Sequence, residues 1–264
     1  MKSRAAAVAG SFYPGTAEQI NQELNVFLNV ENAAEIPTAV QAKALIVPHA
    51  GYCYSGAVAG YAYAYLKNIS HQIRRVILFG PSHRVALHGC AVSSCDFFST
   101  PLGQVEIDKV SNTQLLNKGL AITYDPAHLL EHSLEVQLPF LQRCLDKFVL
   151  VPIVVGYCSA EQISKILDEL KVNQADTLMV VSSDLSHYHS YQQAQSLDNK
   201  TIQHILNYES DLKGEDACGC YAVNGLLRYA QSQNWTIKLL KKANSGDTLG
   251  SKNEVVGYAS FILF

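Results

Sequence analysis

The chain has 264 residues, 48% of them apolar and 16% charged, with a net charge of −3 at neutral pH. That composition excludes a disordered chain, and the small net charge gives no electrostatic footprint for nucleic acid or an anionic membrane. No apolar run approaches the roughly 20 residues of a membrane-spanning helix, so the expectation is a soluble protein with no nucleic-acid and no membrane partner.

In chain order, the opening MKSRAAAVAGSFYPG pairs two basic residues with an apolar run too short for a signal peptide, and FYPG follows at once, so it reads as mature structure. A helix is expected from Thr16, as N-cap, to about Val30, with Ile20, Leu24, Phe27 and Leu28 on one face. Residues 32–42 read as a loop. From residue 43 the pattern becomes regular: strands over 44–47 and 75–80, a helix over 55–68 between them, and short strand signals at 89–94 and 103–107. A helix then runs from about Leu130 to Leu145 with Leu134, Leu138, Leu141 and Leu145 as its stripe. Next come a strand over 148–156, a helix over 159–171, a strand over 177–184, helices over 190–207 and 216–233, and strands over 236–243 and 255–264. Short apolar runs alternating with helices imply one α/β domain over 1–264, a mostly parallel or mixed central sheet with helices on both faces.

In such sheets ligands sit beyond the carboxyl ends of the strands. Three strand ends here carry unusual residues: His49 after LIVP, His83 after LFGPS, and Asp184 with His187 after MVVSS. If those strands are neighbours, metal-competent and proton-transferring side chains share one pocket. Gly51, Gly56 and Gly80 beside them would let backbone approach a ligand closely. Glu131 and His132 start the AHLLEHSLEVQ stretch, with Glu135 on the same helical face as Glu131. Cys218 and Cys220 fall at a helix start, where the dipole favours thiolate. Tyr52 and Tyr54 are candidates to line the pocket. Ser55 reads as a helix N-cap. Tyr61 and Tyr65, one turn apart, read as core or interface. The seven cysteines have no framework spacing and point to a reducing cytoplasm. Phosphate-loop, dinucleotide-binding and nucleophile-elbow motifs are absent from the sequence.

AGSFYPG, PHAGYCYSG, GPSH, EHSLEVQLPFL, SSDLSHY and ACGCYAV follow one another in the order seen in the Memo family, whose bacterial members are called AmmeMemoRadiSam system protein B. The resemblance runs from about Arg4 to Phe264. It implies a fold like that of the class III extradiol dioxygenases, with His49 and His83 as metal ligands and Cys218 where those enzymes carry a glutamate. It also implies His187 as the acid/base histidine and Asp184 lining the site or orienting a ligand; Ser82, Glu131 and His132 are further candidates to line the pocket. The cofactor it implies is one metal ion, Fe(II) or copper, with zinc also compatible; a thiolate ligand shifts preference toward Cu(I) or zinc.

The expected function is therefore a metal-dependent oxidoreductase acting on a small-molecule or peptide ligand in the metal pocket. The alternatives are a binding module using the inherited pocket for a phosphotyrosine-like, peptide or small anionic ligand, and a metal-assisted hydrolase. The system name implies radical SAM and AMMECR1-type protein partners.

Overall fold

The structure is a computed structural model and describes residues 1–30 and 41–264, so the loop expected over 32–42 lies, but for its last two residues, outside the described residues. The strands are β1 (Ser3–Arg4), β2 (Ala44–Val47), β3 (Arg75–Pro81), β4 (Cys90–Val92), β5 (Phe97–Thr100), β6 (Gly103–Ile107), β7 (Ile122–Thr123), β8 (Val149–Val155), β9 (Thr177–Ser182), β10 (His187–His189), β11 (Ile237–Asn244) and β12 (Val255–Leu263). The helices are α1 (Ala17–Phe27), α2 (Tyr52–Tyr63), α3 (Lys109–Asn117), α4 (Pro126–Leu129), α5 (Leu138–Cys144), α6 (Ala160–Glu169), α7 (Tyr191–Leu206) and α8 (Cys220–Ser232).

All twelve strands join one mixed sheet whose main path runs β1-β5-β6-β8-β3-β9-β2-β12-β10. Its centre, from β6 to β2, is parallel, and β12 closes it antiparallel to β2. The interiors of β2, β3, β8 and β9 are continuous apolar runs because both faces are covered. Leu45 and Val47 of β2, Val76 and Leu78 of β3, and Leu178 and Val180 of β9 pack with residues of α1, α2 and α5. Their neighbours Ala44, Ile46, Ile77, Phe79, Met179 and Val181 point the other way and pack with α6, α7 and α8. Strand alternation thus divides one apolar run between two cores. Among the described residues no helix is long and apolar enough to cross a membrane.

Local chemistry sets most boundaries. Thr16 caps α1 by accepting the Gln19 N–H, as expected, but the helix stops at Phe27, with Leu28 as its C-cap. Ser55 is no cap: Gly51 takes that place in α2, and the Ser55 hydroxyl donates back to the Ala50 carbonyl at 2.8 Å from inside the first turn.

The larger departure is the expected 130–145 helix. The chain forms only the short α4, an irregular stretch through Ser133, one 3-10 turn over Glu135–Gln137, and then α5. Glu131 and Glu135 therefore do not share a helical face. Each bonds elsewhere, Glu131 to the His83 segment and Glu135 to Arg4 and the N-terminal segment, and these tertiary bonds outweigh helical propensity.

His128, on α4, makes stability depend on pH. Its Nε2–H donates to the Ala91 carbonyl at 3.1 Å, while Nδ1 is buried without a partner, so a second proton would have no acceptor. Burial accordingly pulls this imidazole down to about 4. The unfolded chain takes up that proton near the ordinary pKa of about 6.5 and the folded one does so only near 4, so stability falls as pH drops between those values. The expected loss from this residue is about 3 kcal/mol. Urea titrations of wild type and His128→Gln between pH 7 and 4 should show the acid limb flattened in the variant; parallel limbs would refute this account.

Candidate metal centre

Strands β2, β9 and β3 lie side by side, with β9 in the middle. Their carboxyl ends deliver His49, Asp184 and His83 to one place. A fourth side chain, His132, arrives from the irregular stretch after α4. The ligand-competent atoms of His49, His83 and His132 all lie within 4.8 Å of one another. The rings of His83 and His132 stack at 4.6 Å, and His49 stands edge-on to both, at 5.2 Å from His83 and 5.4 Å from His132. His49 is buried, His132 half-buried and His83 open to solvent.

Hydrogen bonds decide which nitrogen of each ring carries a lone pair. The Ser182 hydroxyl donates its only proton to the Ser133 carbonyl at 2.7 Å and accepts from Gln137 Nε2 at 2.8 Å. Gln137 is oriented in turn, since its Oε1 accepts from the Tyr63 hydroxyl and its Nε2 also donates to the Pro48 carbonyl. The remaining Ser182 lone pair faces His49 Nδ1 at 2.8 Å, so that nitrogen holds the proton and Nε2 presents its lone pair. For His83 the same is done by Glu131, whose carboxylate accepts from Nδ1 at 2.9 Å and from the His83 backbone N–H at 2.6 Å.

Glu131 also accepts the N–H groups of His132 and Ser133. Burial raises its pKa, but the hydrogen bonds from the His83 ring and from these backbone donors outweigh it and hold the carboxyl at about 2. His132 differs: its Nδ1 is buried with no hydrogen-bond partner, and burial pulls the ring down to about 4 despite the nearby Glu131 charge. Burial and the neighbouring His83, His132 and His187 likewise push His49 well below the usual imidazole range. Among the described residues this leaves two neutral imidazoles, that of His132 with its Nδ1 making no hydrogen bond though 3.3 Å from Glu131 Oε1, beside His83 held by a carboxylate. Such a donor set fits a transition-metal ion.

The other expected residues are placed as follows. Cys218 is not one of the three grouped residues; its Sγ lies 3.3 Å from His49 Nε2 and accepts the Asp184 N–H at 3.3 Å. It precedes α8 rather than starting it, and burial first, then the Asp184 charge, push its thiol far above the ordinary range. Burial likewise takes Cys220 up to about 11. The expected dipole activation is thus overturned for both, because desolvation of a thiolate costs more than a helix terminus returns.

Asp184 accepts the His49 N–H at 2.8 Å, and burial lifts its carboxyl to about 6 against that bond and the Ala50 N–H. His187 is half-buried in β10, next to Tyr188, whose φ of 62° kinks the strand. Burial lowers the His187 pKa. Ser82 turns the loop after β3, its hydroxyl donating to the Val85 carbonyl at 2.7 Å. Tyr54 is half-buried in the first turn of α2. Tyr52 is not in the pocket: its ring packs against Tyr13, Phe27 and Phe140, and its hydroxyl donates to the Val136 carbonyl at 3.0 Å. Gly80 and Gly56 serve chain packing, since a Cβ on Gly80 would stand 2.6 Å from Ser133 Oγ and one on Gly56 would meet the Phe27 ring at 2.5 Å, whereas a Cβ on Gly51 would make only ordinary contacts.

Sequence reasoning passed over Ser182, Gln137 and Phe12. The first two lie inside the SSDLSH and EHSLEVQ stretches, where only charged and imidazole groups drew notice. Phe12 sits in AGSFYPG and lays its ring 4.5 Å from that of His132.

A family model described as Memo-like protein matches residues 4–262. The chain belongs to the Memo family. It is 36% identical to a MEMO1 family protein of Sulfurisphaera tokodaii over 97% of this chain and 98% of that one. It is 35% identical to the MEMO1 family protein of Caldivirga maquilingensis over the full length of both, and 35% identical to that of Aquifex aeolicus over 99% of each. Among solved structures it resembles an uncharacterized protein from Escherichia coli K12, with a TM-score of 0.52 and 13% identity over 83% of this chain and 98% of the other, a likeness of fold alone. In this Memo-family chain the motif residues converge on the histidine cluster.

Proposed function

We propose that this Memo-family protein is a metal-dependent oxidoreductase holding one iron or copper ion at His49, His83 and His132 and admitting a small-molecule or peptide ligand beside them. The observation that supports it is the group of three imidazoles within 4.8 Å, with the lone pairs of His49 and His83 set by Ser182 and Glu131. An iron or copper ion there supplies electron-transfer and oxygen chemistry.

The chain's own residues hold the rest. Glu131 and Ser182 keep the two rings from turning. His187, half-buried and held neutral by burial, and Asp184, whose carboxyl burial lifts to about 6, are the groups that would take up and release a proton. Phe12 covers one face of His132 and keeps water from it.

A second ligand set has its own support. Cys218 Sγ stands 3.3 Å from His49 Nε2, so Cys218 replaces His132 as third donor if its thiol is deprotonated by the metal.

Metal content of protein purified without oxygen or added metal separates these readings, measured for wild type, His132→Ala and Cys218→Ser. About one iron or copper per chain, lost in His132→Ala and kept in Cys218→Ser, is the expected result; the reverse pattern makes Cys218 the third ligand. A wild-type protein that takes up neither Fe(II) nor Cu(I) on reconstitution would sink the oxidoreductase reading and leave a binding module. Turnover that persists without oxygen or another electron acceptor would identify metal-assisted hydrolysis.

A further inference from the structure

Away from the histidines, two buried thiols face each other. Cys90 opens β4 and pairs across the sheet with Val155 of β8, while Cys158 lies just past β8, immediately before Ser159, the N-cap of α6. Their sulfurs are 3.9 Å apart. The backbone around them is tightly tied: Gly156 N–H donates to the Gly89 carbonyl, Tyr157 N–H to the Leu87 carbonyl, and Gly89 N–H to the Tyr157 carbonyl, at 2.8 to 2.9 Å. A Cβ on Gly156 would stand 1.9 Å from the Leu87 oxygen, so only glycine allows this approach.

The two thiols are not equivalent. Cys90 is 2% exposed and lies inside the sheet; Cys158 is 6% exposed but sits between Tyr157, 69% exposed, and the exposed Ser159. Cys158 is therefore the thiol nearer the surface. Cys158, the less buried of the two, faces the Cys90 sulfur at 3.9 Å and the Ser159 carbonyl at 3.6 Å, and its position nearer the surface makes it the thiol that ionises more readily.

We propose that Cys90 and Cys158 are a redox-modification site that a peroxide converts to a disulfide, stapling β4 to the start of α6. The Cys158 thiolate attacks one peroxide oxygen; an S–O bond forms, the O–O bond breaks, and hydroxide leaves to take up the proton that Cys158 released. The Cys90 sulfur then attacks the sulfenic sulfur of Cys158. The S–S bond forms, the S–O bond breaks, and the hydroxyl leaves as water with the Cys90 proton. Two thiols are oxidised and one peroxide is reduced to two waters. The sulfurs must approach from 3.9 Å to the ordinary bond length of about 2 Å, a shift open to side-chain rotation between tied strands.

The staple closes a loop of roughly 70 residues that contains Glu131 and His132, and it anchors the far end of the 82–89 segment that begins beside His83. It stands independently of which metal, if any, the histidines take.

The test uses the full chain as Cys53→Ser, which removes the one exposed thiol among the seven. The folded protein is treated with hydrogen peroxide, unfolded, its remaining thiols blocked with N-ethylmaleimide, and digested without reductant. The expected product is a peptide pair linked through Cys90 and Cys158, with a melting temperature about 10 °C above that of the reduced protein. Adding Cys158→Ser should abolish both. Blocked thiols at both positions after peroxide, a linked peptide joining either cysteine to a different one, or a melting gain that survives in Cys158→Ser would each overturn the proposal.

Discussion

Glu135→Ala should lose about 3 to 5 kcal/mol of unfolding free energy, a large share of what a domain of this size has to lose. The side chain is fully buried and its carboxylate accepts from Arg4 Nη1 at 2.6 Å, from the Ala7 and Val8 N–H groups, and from the Tyr13 hydroxyl at 2.8 Å. Removing it strands a guanidinium that is 3% exposed and leaves three other donors without an acceptor. Burial, the largest cause that raises the Tyr13 phenol, persists in the variant and opposes formation of a phenolate that would neutralise Arg4. Arg4 remains bonded to the His128 and Glu131 carbonyls, which tempers the loss without balancing the charge. A double variant, Arg4→Met with Glu135→Leu, should recover only part, because the backbone donors stay unpaired. Urea unfolding monitored by circular dichroism reads all three proteins, and a Glu135→Ala value within 1 kcal/mol of wild type would end this account.

Glu131→Gln should weaken metal binding by about 10 to 100-fold while leaving the fold in place. The isosteric amide keeps the volume but cannot accept from the His83 ring and from three backbone N–H groups with both oxygens. His83 then loses the contact that sets its tautomer, and the His132 backbone loses its anchor. Isothermal titration with Cu(I) or Fe(II) under anaerobic conditions measures the ratio; His49→Ala in parallel should lose more, since it removes a donor rather than its support. Equal affinity of Glu131→Gln and wild type would mean that the carboxylate serves the chain's shape alone.

Much of the site could be read from the chain before its fold was known, for a physical reason. Parallel strands buried on both faces are continuous apolar runs, so a histidine or aspartate just beyond one stands out, as His49, His83 and Asp184 do. The helices expected over 159–171 and 190–207 correspond to α6 and α7 to within two residues at each end. The stretch from Leu130 to Leu145 was misread because its leucines at helical spacing face a core without forming one helix. What decides its path is Glu131 bonded to His83 and Glu135 bonded to Arg4, contacts 48 and 131 positions apart. Such contacts leave no periodicity. Tyr52 looked available because it neighbours His49 in sequence, yet α2 begins there and turns its ring into the core. Ser182 and Gln137 were overlooked because a hydroxyl and an amide carry no charge, and their part appears only once the lone pairs are counted.

The Arg4 clamp also bears on how the molecule is made. His49 receives Asp184 across 135 positions and Cys218 across 169, while the loop holding Glu131 and His132 is locked by a residue from the beginning of the chain. A chain emerging from a ribosome can pair β2 only with strands not yet synthesised, and the N-terminal segment must wait for Glu135 to arrive. High contact order of this kind slows folding. The histidine cluster is therefore assembled late, since His49 can meet Asp184 and Cys218 only after those residues have left the ribosome, and the early apolar strands stay unpaired through that interval.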